Sequence, residues 1–383
     1  MHGASLSDSQ VVAEQAGKIA AAWSPPGAPA SWALTAGQFR SLHDDDELLA
    51  IAATIPSDKL PPLLFAAAAS FLVLELAPRP LRDSFPQLGD AQPTLGSTFI
   101  EDYRAFCLDH RERLLELCAH HRYQMNEVAR CAQLLPALAP AAQDEREMVL
   151  IDIGTGAGLA LQLDRYRYLF HGPGERLPAV GNPDATVVIE TELRGEIAAP
   201  IPKRIPGIVD RIGIDIEPLD VNDRATRDWL AACVPQEIGA VTRFHSAVEV
   251  AIAHPARRVR GDACVVLPEV LSEVSPEALV CIVDTYVHVF FTAGQLRRFR
   301  TLVEDFGAFR DVDWVSIDPL VPLGEHAADS VLGGSVPGRL VERARREGVF
   351  GVVGRLGYRQ GRRSQALLGV AHPGAAWLQW LAN

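Results

Sequence analysis

Three glycines at alternate positions, Gly154, Gly156 and Gly158, follow Asp152 at the end of an apolar run. Glycines in such a place let the backbone turn tightly and approach a ligand with no Cβ in the way. A dinucleotide-binding loop reads G-x-G-x-x-G/A, but the sixth residue counted from Gly154 is Leu159, where close packing requires a small side chain. The spacing therefore disfavours a pyrophosphate ligand and a redox dinucleotide enzyme.

This pattern of one acid and three glycines resembles motif I of the class I S-adenosylmethionine-dependent methyltransferases. The resemblance implies that the loop lies along the methionine and ribose parts of the ligand. Asp152, Gly154, Gly156 and Gly158 would then be ligand-binding residues. A glycine-rich turn with no cofactor role is the alternative.

Carboxylates follow the later strands that the sequence predicts. An acid after the second strand of this fold usually binds the ribose hydroxyls, because a carboxylate accepts two hydrogen bonds. Asp215 is favoured for this role, with Glu217 beside it; if the second strand were the segment of Glu190 and Glu192, one of those would serve instead. Asp262, after the next strand, suits the adenine amino group or caps a helix.

The fourth strand ends near Asp284, Tyr286 and His288. In the methyltransferase fold this region faces the reactive sulfonium, so Asp284 and Tyr286 are predicted to bind the ligand. A lone histidine at such a place is more often a packed side chain than a base.

A helix over residues 122–130 would carry polar stripes, with Arg122, Asn126 and Arg130 on one face and Tyr123, Glu127 and Arg130 on another. Asn126 and Glu127 would then line the roof of the ligand pocket. The alternative is that Glu127 and Arg130 form an intrahelical ion pair.

The aromatic segment LDRYRYLF follows the glycine loop and is predicted to continue into the first helix after it. Asp164 and Arg165 would pair locally. Tyr166 and Tyr168 would face the pocket or pack under the N-terminal helices.

The predicted secondary structure that positions these residues differs between the two parts of the chain. Residues 1–145 have helical spacing and predict an N-terminal helical cap; residues 146–383 alternate strands and helices and predict the ligand-binding domain. The fold class is therefore α/β, a doubly wound, mostly parallel seven-stranded sheet with a terminal hairpin and one extra strand at 185–195. The seven strands are predicted at 148–154, 209–217, 257–263, 278–286, 311–319, 348–358 and 365–373.

Composition limits the classes of partner. The 383 residues carry a net charge of −12, which disfavours a nucleic-acid partner. The apolar segment at 60–77 contains two prolines and a glutamate and predicts a buried helix, so no membrane partner is expected. The six cysteines form no C-x-x-C pair and no histidine completes a zinc site, which indicates reduced thiols in a cytoplasmic protein without a metal.

Two segments, HRYQMNEVARCAQLLPAL and DIGTGAGLALQLDRYRY, resemble signatures of a bacterial family of unknown function that is common in actinobacteria. That family has a class I methyltransferase-like domain behind a helical N-terminal part. This chain departs from the family pattern at Met125, at Ala129 and at Thr155–Gly156. The last departure brings the loop closer to an ordinary S-adenosylmethionine motif and indicates a branch that binds this ligand.

The resemblance implies an enzyme that uses S-adenosylmethionine on a small molecule, with the helical cap excluding water. A narrower possibility follows from a likeness to azetidine-2-carboxylic acid synthases, in which the ligand's own amine attacks its γ-carbon and methylthioadenosine leaves. Asn126, Tyr166 and Thr191 would then orient the amine. A non-catalytic binding protein with a degenerate methyltransferase fold is the alternative from another class.

Overall fold

The computed structural model describes residues 8–88, 95–144, 146–172, 174–205, 207–319, 330–332, 334–347 and 349–382. Contacts between Cα atoms divide the chain into two compact units. The first contains Met1–Asn126, Asn222–His245 and Arg345–Val349; the second contains Glu127–Val221, Ser246–Ala344 and Phe350–Asn383. Two segments of the first unit thus follow residue 145, the boundary predicted from composition.

The first unit is helical. Its helices are α1 Ser9–Ala22, α2 Ala33–Asp44, α3 Asp46–Ala52, α4 Pro61–Leu76, α5 Arg79–Arg82, α6 Phe99–Asp109 and α7 Arg111–His120, with α8 and α9 in the second unit and α10 Arg224–Cys233 again in the first. Helix α4 is the apolar segment of the sequence, begins with two prolines and is buried along most of its length. No helix in the described part of the chain is both long and apolar enough to cross a membrane.

The core of the first unit depends on a segment from later in the chain. Trp229 of α10 packs on the ring of Phe71, with a centroid distance of 5.7 Å, and stacks on His121 at 4.1 Å. Its indole N–H donates to the carbonyl of Arg122 over 3.0 Å. These contacts fill the helical core and satisfy a buried donor at the same time.

The second unit contains the sheet and the remaining helices. These helices are α8 Arg130–Ala137, α9 Ala139–Gln143, α12 Ala263–Glu273 and α13 Ala293–Gly307, while α11 Ile238–Ala253 and α14 Gly338–Glu347 have residues in both units. The strands are β1 Met148–Ile153, β2 Arg167–Gly172, β3 Glu175–Arg176, β4 Val180–Gly181, β5 Val188–Arg194, β6 Ile208–Asp215, β7 Arg257–Arg260, β8 Leu279–Thr285, β9 Val312–Pro319, β10 Ser330–Val331, β11 Gly334–Ser335, β12 Gly351–Arg359, β13 Arg362–Ala371 and β14 Trp377–Trp380.

The main sheet runs β3-β2-β5-β14-β13-β12-β9-β8-β1-β6-β7, and β4 pairs with β2. Strands β7, β6, β1, β8 and β9 form a parallel block, and β1 at its centre is buried along its whole length. The hairpin of β12 and β13 adds to this block in antiparallel orientation. The α/β class, the mostly parallel pairing and the terminal hairpin are therefore confirmed.

The prediction of a seven-stranded sheet is wrong, because the main sheet has 12 strands among the described residues. Strand β14 follows the predicted hairpin and pairs with both β13 and β5. It thereby joins the extra strand β5, with its neighbours β2, β3 and β4, to the parallel block. The first residue of the predicted strand 348–358 lies outside the described residues.

The predicted α-helix after the glycine loop is also wrong. A short 3-10 helix occupies Ala160–Arg165, and β2 follows it directly. The physical reason is a period of two in the segment, since Tyr166, Tyr168 and Phe170 are all fully buried. A helix would spread these three rings around its circumference.

The helical stripes predicted for 122–130 do not form, because α7 ends at His120 and α8 begins only at Arg130. The backbone between them is irregular. The side chain of Glu127 instead accepts a hydrogen bond of 2.9 Å from the backbone N–H of Ala129, just before α8. Helix α8 then packs on β5, β9 and β12.

Candidate functional site

The glycine loop lies at the carboxyl end of β1, in the second unit. The chain passes from β1 to β6 and β7 on one side of it and later to β8 and β9 on the other. The strand order therefore reverses at β1, and the crevice at such a switch point is where open α/β sheets bind ligands.

All three glycines of the loop have left-handed backbones, with φ values of 67° at Gly154, 51° at Gly156 and 75° at Gly158. A Cβ on Gly154 would lie 2.5 Å from the side chain of Val287, in the loop after β8. The N–H of Gly154 donates to the carbonyl of Ile214 over 2.8 Å. The loop is thus hydrogen-bonded to β6 and packs against the segment that follows β8.

Asp152 ends β1 beneath this loop and is buried. Its carboxylate accepts a hydrogen bond of 2.7 Å from the hydroxyl of Thr155. The pKa of Asp152 is raised to about 7: burial and the negative charges of Asp284 and Asp215 raise it, and the hydrogen bond from Thr155 lowers it. A carboxyl group that titrates near neutral pH in a crevice is a common property of functional sites.

Asp215 ends β6, the strand next to β1, and so lies beside the glycine loop. One carboxylate oxygen accepts the N–H of Gly156 over 2.9 Å, and the other accepts the N–H of Glu217 over 2.9 Å. Glu190 and Glu192 lie on β5, at the other end of the sheet order from β6. The arrangement therefore puts Asp215, rather than either glutamate, next to the loop.

Asp262 follows β7 and caps α12. It accepts the N–H of Cys264 over 2.8 Å and the side-chain amide of Gln295 over 3.3 Å. Asp262 is therefore a helix cap, which was the alternative role predicted from the sequence. An adenine amino group would have to share the carboxylate with these two donors.

A buried polar cluster occupies the ends of β8 and β9. Asp284 is fully buried and accepts the indole N–H of Trp314 over 2.5 Å and the hydroxyl of Ser316, whose oxygen lies 2.7 Å away. His288 lies between two carboxylates, with Nε2 3.3 Å from Asp284 and Nδ1 2.9 Å from Asp318. Burial lowers the pKa of His288, but the two carboxylates outweigh it and raise the pKa well above its ordinary value.

Tyr286 has a strained backbone in this cluster, with φ of 60°, which costs a non-glycine residue about 1–2 kcal/mol. The guanidinium carbon of Arg130, at the start of α8, lies 4.0 Å from the centre of its ring. The Arg130 side chain also donates to the carbonyl of Pro373 over 3.0 Å. Strain of this kind is found preferentially at functional sites, where the surroundings hold it in place.

Three of the four residues predicted to act on the substrate belong to the second unit, and each of the three is buried. Tyr166 and Thr191 are fully buried, and their hydroxyls donate to the carbonyls of Leu159 and Ala375 over 2.7 and 3.2 Å. Glu127 is buried at the start of α8. Asn126 belongs to the first unit and donates to the carbonyl of Gln124 over 3.2 Å.

Sequence reasoning missed Ser316 and Asp318, which complete the cluster around His288. Their segment, 311–319, was predicted as the fifth strand, and parallel strands that are neighbours end at the same edge of a sheet. An acid at the end of that strand was therefore the signal for a partner of His288.

The fold and the site define an α/β protein with a glycine loop and buried carboxylates at the switch point of its parallel strands. The chain belongs to a bacterial protein family described as "Uncharacterized protein conserved in bacteria (DUF2332)", which matches residues 26–380. No curated protein matches the chain. The prediction of a bacterial family of unknown function is therefore confirmed.

Proposed function

We propose that this protein is an enzyme that binds S-adenosylmethionine at the carboxyl ends of β1 and β8 and uses it on a small molecule. The observation that carries the proposal is the loop of three left-handed glycines at the switch point of the sheet. Such a loop exposes backbone without side chains to a ligand, and its resemblance to motif I of S-adenosylmethionine-dependent methyltransferases identifies the ligand class.

The charges around the crevice support a cationic ligand. Asp152, Asp215 and Asp284 end the three central strands, and the charges of Asp215 and Asp284 both raise the pKa of Asp152. A sulfonium placed at this edge would relieve the repulsion among these carboxylates. Asp215 already accepts one N–H on each oxygen, and each oxygen retains a lone pair for a ribose hydroxyl.

Apolar surface at the same edge supports a flat base in the ligand. Ile216, directly after Asp215, is 74% exposed, and Val265, in the first turn of α12, is 62% exposed. An adenine ring placed on these side chains would remove their apolar surface from water. The recess next to Gly158 and Arg258 has room for only about one water molecule.

Methyl transfer is the reaction we favour. The lone pair of an oxygen or nitrogen acceptor attacks the methyl carbon, the carbon–sulfur bond breaks toward sulfur, and the acceptor's proton passes to a base. Intramolecular cyclisation to azetidine-2-carboxylic acid is the alternative use of the ligand. It is less favoured because the hydroxyls of Tyr166 and Thr191, which were expected to orient the amine, donate to backbone carbonyls instead.

Calorimetry with S-adenosylmethionine and S-adenosylhomocysteine tests the binding step. We expect both to bind, and we expect Asp215→Ala to weaken both, because it removes the ribose acceptor and the partner of the Gly156 N–H. Asp210→Ala, on the exposed part of the same strand, is the matched control. Absence of binding by the unaltered protein would favour the non-catalytic alternative and overturn the proposal.

Product analysis by mass spectrometry then separates the reactions. Methyl transfer requires an added acceptor and yields S-adenosylhomocysteine. Methylthioadenosine formed together with azetidine-2-carboxylic acid from S-adenosylmethionine alone would establish cyclisation and exclude methyl transfer as the main reaction. A panel of small hydroxyl and amine acceptors is the appropriate first screen.

A further inference from the structure

The polar cluster at the ends of β8 and β9 holds three ionisable side chains that are largely withdrawn from water. Asp284, His288 and Asp318 have side chains that are only 1%, 12% and 15% exposed. One ligating atom from each of the three lies within 4.8 Å of the others. Two carboxylates and one imidazole withdrawn from water in this way require a compensating positive charge.

We propose that Asp284, His288 and Asp318 bind a first-row divalent cation, such as Mn²⁺ or Zn²⁺, with the hydroxyl of Ser316 as a fourth donor. The Ser316 oxygen lies 2.7 Å from Asp284, 2.8 Å from Asp318 and 3.4 Å from Nδ1 of His288. Donors at about 2.0–2.2 Å from one ion in a tetrahedral shell lie about 3.4 Å apart, so the two shorter separations would lengthen when an ion binds. Nε2 of His288 faces Asp284 and Nδ1 faces Asp318, so the ring would turn to direct one nitrogen at the ion.

Charge balance favours the ion. Two carboxylates outnumber the one imidazole, so the cluster without a cation is negative whichever form His288 takes. A divalent ion with a neutral imidazole and two carboxylates gives a net charge of zero. A neutral site is the less costly one to bury.

Tyr286 supplies an independent observation beside the cluster. Its hydroxyl oxygen is buried, and it makes no hydrogen bond to any described residue. Its backbone N–H donates over 2.7 Å to the carbonyl of Ile317, which lies between Ser316 and Asp318. A buried hydroxyl without a partner is costly, and a water molecule or ligand held by the cation would satisfy it.

The donor set indicates the class of ion. Mg²⁺ and Ca²⁺ prefer oxygen ligands alone, whereas an imidazole with carboxylates suits Mn²⁺, Fe²⁺ or Zn²⁺. Four donors or fewer from the protein would leave coordination positions for an oxygen-bearing ligand in the crevice. Asp284 would then act on a bound ligand through the cation rather than directly on the sulfonium.

The test is titration of Mn²⁺ and Zn²⁺ into the full chain after treatment with a chelator, without S-adenosylmethionine. We expect one saturable site, detected by calorimetry and by the electron paramagnetic resonance signal of Mn²⁺. Asp318→Asn and His288→Gln should each weaken binding at least 10-fold, because loss of even an outer-shell partner costs about 10–100-fold in affinity. Mg²⁺ should compete poorly.

His171→Gln is the matched control, because His171 also lies near an acid, with Nε2 3.6 Å from Glu190, but its side chain on β2 is 37% exposed. Ser316→Ala removes only a neutral donor and covers the case in which the charged variants fail to fold; it should weaken binding by a smaller factor. Absence of a saturable site in the unaltered protein, or equal affinity in Ser316→Ala and the charged variants that fold, would overturn the proposal. The result does not depend on S-adenosylmethionine, so it is distinguishable from failure of the proposed function.

Discussion

At the scale of single residues, Gly154 is restricted both by its backbone conformation and by a close neighbour. Its φ of 67° is unfavourable for other residues, and a Cβ there would lie 2.5 Å from Val287. We expect Gly154→Ala to lower the free energy of unfolding by the strain of about 1–2 kcal/mol and by about 1–3 kcal/mol more for the overlap. It should also abolish S-adenosylmethionine binding.

Gly174→Ala separates the two effects, because Gly174 has φ of 81° but no atom within 4 Å of an added Cβ. This control should show only the strain term when both variants are unfolded with urea. Equal losses in the two variants would mean that Val287 moves aside, and that the loop is less closely packed than the geometry indicates.

Asp152 makes stability depend on pH. Its folded-state pKa of about 7 is above the ordinary value of 3.8, so between these values the unfolded chain releases a proton that the folded protein retains. The free energy of unfolding should therefore fall as the pH rises from about 4 to about 7 and change little above that. At about 1.36 kcal/mol for each pKa unit, the contribution is at most roughly 4 kcal/mol.

Asp152→Asn should remove this dependence while keeping an oxygen for the hydroxyl of Thr155. The difference in unfolding free energy between the two proteins, measured from pH 4 to pH 8, isolates the contribution of one group. A difference that stays constant over this range would show that Asp152 is already ionised in the folded protein at pH 4.

His288 shows what residue-level reasoning could and could not find. Its position after the fourth strand was visible, and so was the acid Asp284 four residues before it. The second carboxylate, Asp318, is 30 residues later in the chain and approaches only because β8 and β9 are parallel neighbours. His288 was expected to be a packed side chain, but it lies between two carboxylates.

At the scale of elements, α8 is attached to the sheet through a buried amide. Gln133 is fully buried, and its side-chain N–H groups donate to the carbonyls of His372 and Trp377 over 2.9 and 3.2 Å. We expect Gln133→Leu to reduce the free energy of unfolding by roughly 1–3 kcal/mol, because two hydrogen bonds are lost at nearly constant volume.

Gln143→Leu, at an exposed position at the end of α9, is the control for the change of residue type. It should leave the free energy of unfolding within about 0.5 kcal/mol. If the two leucine variants were equally stable, the amide of Gln133 would contribute little to the attachment of α8.

At this scale, most of the strands could be predicted from the sequence, but their pairing in the sheet could not be predicted completely. The eight strand segments it predicted all contain strands, because their β-branched and apolar runs are local signals. The segment after the glycine loop was misassigned as a helix, although Tyr166, Tyr168 and Phe170 alternate as a strand requires. Its apolar residues fit both periods over so short a length.

At the scale of the whole molecule, the helical unit is completed from distant segments. A fragment of residues 1–145 would lack α10, and Trp229 would no longer cover Phe71 and His121. We expect this fragment to lack cooperative unfolding and to bind a hydrophobic dye, since the exposed core has no replacement cover.

Addition of a synthetic peptide of residues 222–245 should restore cooperative unfolding, measured by near-ultraviolet circular dichroism. The same peptide with Trp229→Ala is the control and should restore little. A fragment that unfolds cooperatively without any peptide would show that the N-terminal helices form a sufficient core by themselves.

By itself, the sequence determined the α/β class, the glycine turn after β1 and the acids that end the parallel strands. These follow from short-range rules, since periodicity and the conformational freedom of glycine act within a few residues. Only the tertiary structure decided that β14 joins β5 to the sheet, that α10 completes the helical core and that Asp318 meets His288. Those outcomes depend on which distant segments hydrogen-bond and pack together. The free energy of such contacts depends on both segments at once, so neither segment predicts it alone.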